Sequence, residues 1–144
     1  MEQRFNMQQV QPEAYKALIG LEKYLMGTAI STVHKDLIKI RASQINGCAY
    51  CINMHTRDAR KNGETEQRIY LLNAWRETNL FTAEERAVLA LTEQVTLISH
   101  HVAEDAYEAA ASLFSETYIA QLLMAIVAIN AWNRIGITTR LQPD

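Results

Sequence analysis

The chain has 144 residues, 49% of them apolar and 21% charged, with a net charge of −2. That composition excludes a disordered chain and is enough for one hydrophobic core, so a single domain over residues 1–144 is expected. The near-neutral balance, without a basic stripe, argues against a nucleic-acid partner.

Only Pro12, Pro143 and five glycines interrupt the sequence. No segment alternates apolar and polar residues long enough for a sheet, and the apolar residues recur every three or four positions instead. The expectation is therefore an all-α chain with helices over 12–29, 34–46, 48–62, 65–77, 82–98, 102–114 and 116–134. The first carries the stripe Leu18, Leu21 and Leu25 after Pro12. The second carries Leu37, Ile38, Ala42 and Ile45, with Arg41 the one charged member of its face. Asn62-Gly63 reads as a helix C-terminus, where glycine takes a left-handed conformation without a Cβ penalty. Thr65 can cap the helix that follows, with its weaker stripe of Ile69, Leu72 and Trp75 or Arg76. Thr82 and Glu85 have the spacing of a capping box ahead of Val88, Leu91, Val95 and Ile98. His100-His101 reads as a solvated turn, and Ser115 as the cap of the last helix.

In that last helix only Gln121 is strongly polar between Tyr118 and Ile129, so apolar groups cover its whole circumference. Such a helix is either central to the core or shared with a second subunit. The apolar stretch is shorter than the roughly 20 residues of a membrane span. The first twenty residues lack the continuous apolar core of a signal peptide. A cytoplasmic protein with no membrane partner is the expectation.

The chemistry concentrates in Asn46-Gly47-Cys48-Ala49-Tyr50-Cys51-Ile52-Asn53-Met54-His55. In a helix beginning at Cys48, steps of about 100° place Cys48, Cys51 and His55 within about 60° of one another. Gly47 lets the chain turn sharply into that helix. Free N–H groups and the helix dipole favour a thiolate in the first turn. The i, i+3 spacing brings the second sulfur within reach of a disulfide, and His55 can take or deliver a proton one turn later. Two other readings fit the same residues: three zinc ligands short of a fourth, or two inert buried cysteines beside a structural histidine. A thioredoxin-type reading requires a βαβ context, which is missing. Tyr50, Met54 and Trp75 stand either in a substrate pocket or in the core. Arg41 either balances Asp36 or anchors the site.

The run Leu37-Ile38-Lys39-Ile40-Arg41-Ala42-Ser43-Gln44-Ile45-Asn46-Gly47-Cys48-Ala49-Tyr50-Cys51, followed by His55 and Gly63-Glu64-Thr65, resembles the alkylhydroperoxidase D core of the carboxymuconolactone decarboxylase family. The similarity extends through Ala74-Trp75-Arg76-Glu77, the segment Thr82 to Leu91, and Asn130-Ala131-Trp132-Asn133-Arg134. The resemblance implies an all-α, homo-oligomeric protein, a trimer or hexamer. It also implies reduction of a hydroperoxide by a cysteine pair that a dithiol donor recycles, with no cofactor and no metal. By the same resemblance Cys51 attacks the peroxide, Cys48 resolves, His55 relays the proton, and the relay carboxylate falls at Asp36. Two residues depart from the family pattern: Asp36 stands where glutamate is usual, and Tyr50 where one branch has histidine. The dipole argument favours Cys48 as the more acidic thiol, whereas the resemblance places attack at Cys51. Decarboxylases of the superfamily generally lack the cysteine pair, so its presence argues against the remaining enzymatic alternative, a lyase acting on a small carboxylated lactone with His55 as base.

Overall fold

Helix starts follow the local capping chemistry in the computed structural model, which describes residues 1–143. The described residues form α1 (Met7–Val10), α2 (Pro12–Met26), α3 (Thr32–Asn46), α4 (Ala49–Lys61), α5 (Glu66–Tyr70), α6 (Ala83–Thr96), α7 (Glu104–Ala111) and α8 (Glu116–Thr139), with no strand among them. Ser31, Thr65, Thr82 and Ser115 each accept a backbone N–H three residues on, which satisfies one donor that the helix itself leaves free. Thr82 and Glu85 close the reciprocal capping box.

Several boundaries differ from the sequence expectation. The segment expected as one helix over 65–77 divides into α5 and a 3-10 helix, Leu72–Glu77, with a break in helical geometry at Ala74. Burial of Leu72 and Trp75 outweighs the continuity of the weak stripe there. A short 3-10 turn, Ile98–His100, follows α6, and His101 takes a left-handed φ of 62°. α8 runs to Thr139 rather than 134, because Asn133, Gly136 and Thr139 continue its buried face after the apolar run ends. At 24 residues α8 is long and apolar enough, by length and composition, to cross a membrane, which corrects the expectation from the shorter stretch. Half of its apolar window is buried inside the protein.

α3 is the central element, packed against α4, α6 and α8. Its Ile38 and Ala42 join Leu25, Val88, Leu91, Leu122, Ile126 and Ile129 in the larger core between α2, α6 and α8. Its Leu37 and Ile40 enter a second core with Ala59, Leu72, Trp75, Phe81 and Leu89. α8 buries Leu122, Ala125, Ile126 and Ile129 and leaves Leu123 and Val127 exposed, so the all-round apolar pattern covers one core face and one open face.

Candidate functional site

The turn between α3 and α4 positions the cysteines. Gly47 ends α3 at φ 74°, a left-handed conformation that a side chain would strain. The carbonyl of Ser43 accepts the N–H groups of both Gly47 and Cys48. Asn46 donates to Asn130 and Asn133 at 2.9 Å each, and Asn133 donates to the Ser43 hydroxyl. Asn46, half-buried, and the buried amides of Asn130 and Asn133 fasten the turn to α8, so the chain leaves it in a fixed direction.

Cys48 is the N-cap of α4 rather than its first helical residue, and its Sγ accepts the Cys51 N–H at 3.4 Å. The two cysteines form a disulfide with their Cα atoms 5.3 Å apart. Both are almost fully buried. Gly136 of α8 faces them: a Cβ there would lie 3.2 Å from the Cys48 sulfur and 3.7 Å from that of Cys51. The glycine therefore lets the helix backbone lie directly against the disulfide.

Cys51 and His55 line a cavity of about 520 Å³ that also receives Tyr15, Ile19 and Glu22 from α2, Lys39 from α3, Tyr50, Met54 and Asp58 from α4, and Trp132 from α8. The N-terminal segment closes one side with Gln3, Asn6, Met7 and Gln8, held in place where Arg4 bonds the carbonyls of Thr138 and Thr139. Burial, with a smaller contribution from the Lys39 charge, pushes His55 down to about 4, against the opposing pull of Asp58. At neutral pH the imidazole is therefore uncharged, and burial keeps it a weak base until a negative charge forms beside it.

The remaining sequence candidates separate. Asp36 does not reach the cavity; its carboxylate accepts from the Asn62 side chain at 2.9 Å, and burial raises its pKa against that bond. Asp36 lies in the first turns of α3 and meets Asn62 at the end of α4, roughly one and a half to two turns beyond His55 from the α3–α4 turn. Tyr50 and Met54 line the cavity, while Trp75 is buried elsewhere and donates to Glu93. Arg41 bonds Glu93, not Asp36. Among the described residues, no group of three or more His, Cys, Asp or Glu side chains is placed to hold a metal ion. Sequence reasoning missed Gly136, Glu22 and Lys39. A glycine deep in an apolar helix was the one available signal, since that choice costs about 1 kcal/mol relative to alanine.

Residues 12–94 match the carboxymuconolactone decarboxylase family. The chain belongs to that family. The match spans the cysteine pair and His55 but stops before α8, which supplies Gly136 and Trp132. Another relative is the uncharacterized protein YdfG of Bacillus subtilis (strain 168), 46% identical over 138 residues, which are 95% of this chain and 94% of YdfG. A solved structure from Agrobacterium tumefaciens, a protein of unknown function proposed as the antioxidant defence protein AhpD, is 40% identical with a TM-score of 0.97 over 99% of both chains. An uncharacterized peroxidase-related protein from Ralstonia eutropha JMP134 with an alkylhydroperoxidase AhpD core shares the fold at 19% identity, TM-score 0.84, over 96% of this chain and 74% of its own. The alkylhydroperoxidase D-like fold of this family member is thus the expected one.

Proposed function

We propose that this family member is a thiol-dependent hydroperoxide reductase in which Cys51 attacks, Cys48 resolves and His55 carries the proton. The observation that carries the proposal is a disulfide-bonded Cys48–Cys51 pair with Cys51 and His55 together on the wall of one cavity. A cavity of about 520 Å³ is far larger than hydrogen peroxide needs and suits an organic hydroperoxide or the end of a dithiol donor.

In the reduced protein the Cys51 thiol gives its proton to neutral His55, and the thiolate attacks the hydroperoxide. An S–O bond forms, the O–O bond breaks, and the departing alkoxide takes the proton back as an alcohol. The Cys48 thiolate then attacks the Cys51 sulfenic acid; the S–S bond forms and hydroxide leaves as water after protonation. A dithiol donor returns two electrons and two protons and becomes a disulfide. The N-cap position of Cys48 supports this division of roles even though the dipole favours Cys48 as the more acidic thiol. Donor attack at Cys51, the sulfur on the cavity side, expels Cys48 as a thiolate, and the first-turn backbone N–H of Cys51 stabilises that leaving group. The same proposal includes a homo-oligomeric, cytoplasmic enzyme, with the exposed Leu123–Val127 strip of α8 as a surface for assembly.

The test is hydroperoxide consumption with a dithiol donor, together with mass spectrometry of the thiols before and after one equivalent of peroxide. Rapid loss of two thiols as an intramolecular disulfide, reversed by the dithiol and abolished in Cys51→Ser, is the expected result. Consumption that survives Cys51→Ser unchanged would remove the proposal.

A further inference from the structure

A thiolate at Cys51 is an anion with little access to water, and such a charge needs a nearby positive group. The dipole end of α4 reaches Cys48 through the Cys51 N–H rather than the Cys51 sulfur itself. His55 is uncharged at neutral pH before any proton moves. Asp58, from the same helix, has the wrong sign.

Lys39 is the one lysine or arginine among the described residues lining the cavity. Its Nζ lies 3.4 Å from one carboxylate oxygen of Glu22, and the other oxygen accepts the indole N–H of Trp132 at 3.1 Å. The Trp132 ring is packed edge-on against Tyr15, with centroids 5.2 Å apart. Residues from α2, α3 and α8 therefore hold this ammonium on the cavity that Cys51 and His55 share. The pair is about a quarter exposed, and one contact of 3.4 Å leaves the remaining ammonium protons free to face the cavity.

We propose that Lys39, tethered by Glu22, is a positioning residue whose ammonium supplies the positive field that stabilises the Cys51 thiolate. The proposal rests on the redox reading of the cysteine pair. When a dithiol has reduced the disulfide and the Cys51 thiol has given its proton to His55, the negative charge left on the sulfur shares its cavity with the Lys39 ammonium. The charged groups lining the cavity with Cys51 are Glu22 from α2, Lys39 from α3 and Asp58 from α4, beside the titratable but uncharged Tyr15 of α2 and Tyr50 and His55 of α4; α8 and the N-terminal segment contribute only uncharged groups. Replacing Lys39 by an uncharged residue leaves only carboxylates as permanent charges, and the thiol then becomes less acidic.

The experiment measures the pH dependence of iodoacetamide alkylation of Cys51 in the full-length reduced protein, in a Cys48→Ser background so that one thiol reports. Lys39→Met is expected to raise the midpoint by about one unit, so alkylation at neutral pH falls about tenfold. Lys39→Arg keeps the charge and is expected to keep the midpoint. Glu22→Gln removes the opposing carboxylate and is expected to move it the other way, a reversal that general loss of packing does not produce. A midpoint unmoved by Lys39→Met, or moved equally far by Lys39→Arg, overturns the proposal. Alkylation needs no peroxide, so failure of the wild type to consume hydroperoxide would remove the redox reading separately.

Discussion

Lys39 and Arg41 stand two residues apart on α3, on roughly opposite faces, and they enter polar clusters of different kinds. Arg41 donates to Glu93 at 2.8 Å, Trp75 donates to it at 2.9 Å, and Arg76 completes the set. Burial alone would raise the Glu93 carboxyl, but the bonds from Trp75, Arg76 and Arg41 outweigh it and hold the group low. On the other face, Lys39 makes one long ion pair and His55 has no hydrogen bond shifting it, only burial and neighbouring charges. A polar cluster whose donors and acceptors are all matched stabilises the fold and has no capacity left for chemistry. The cavity cluster is left incomplete, and an incomplete cluster is what a substrate or a transferred proton requires.

Glu93→Ala gives the largest expected effect on that contrast. It leaves two guanidinium groups and an indole N–H without their acceptor, and unfolding stability should fall by about 3 kcal/mol. Denaturant titration measures this, and the cysteine reactivity of the folded fraction should not change. A loss confined to reactivity would reverse the assignment of the two faces.

Acid should act on the other cluster. His55 has a folded pKa near 4, below its unfolded value of 6.5, so the unfolded chain binds its proton first as pH falls. Its contribution is therefore complete above about pH 6.5 and is lost toward pH 4, with about 2 kcal/mol gone by pH 5. Denaturant titrations across that window should show the slope, and His55→Gln should flatten it.

Gly136→Ala should have a smaller thermodynamic effect. Higher helix propensity offers up to about 1 kcal/mol, which crowding of the added methyl against the sulfurs offsets. Disulfide closure after peroxide should slow several-fold, as followed by quenched alkylation, while the melting temperature changes little. Asp36→Asn is the mildest change. Its carboxylate lies beside Asn62 outside the cavity, so peroxide turnover should stay within about twofold and stability within about 0.5 kcal/mol. A large loss of turnover would return Asp36 to the proton relay that the family resemblance implies.

Much of the fold was legible because its signals are local. Capping at Thr82–Glu85 and Ser115 acts within one turn, as does the end of α3 at Gly47, and stripes of period 3.6 mark the buried faces of α3 and α6. Cys51 and His55 share a face of one helix, so four residues of sequence determine their proximity. The break at Ala74 and the extension of α8 to Thr139 were not legible, because they follow from what Leu72, Trp75, Asn133 and Gly136 meet on other helices.

The sequence by itself therefore determined an all-helical chain with a dithiol and a histidine aligned along one helix. Tertiary structure alone decided which groups surround them. Gly136 meets Cys48 across 88 positions, and Glu22 meets Trp132 across 110. It also decided that Lys39 rather than Asp36 enters the cavity, through the register in which α3 and α4 pack. The physical reason is reach: a helix arranges its own neighbours within a few residues, whereas burial, charge and access at a site depend on side chains that only packing brings together.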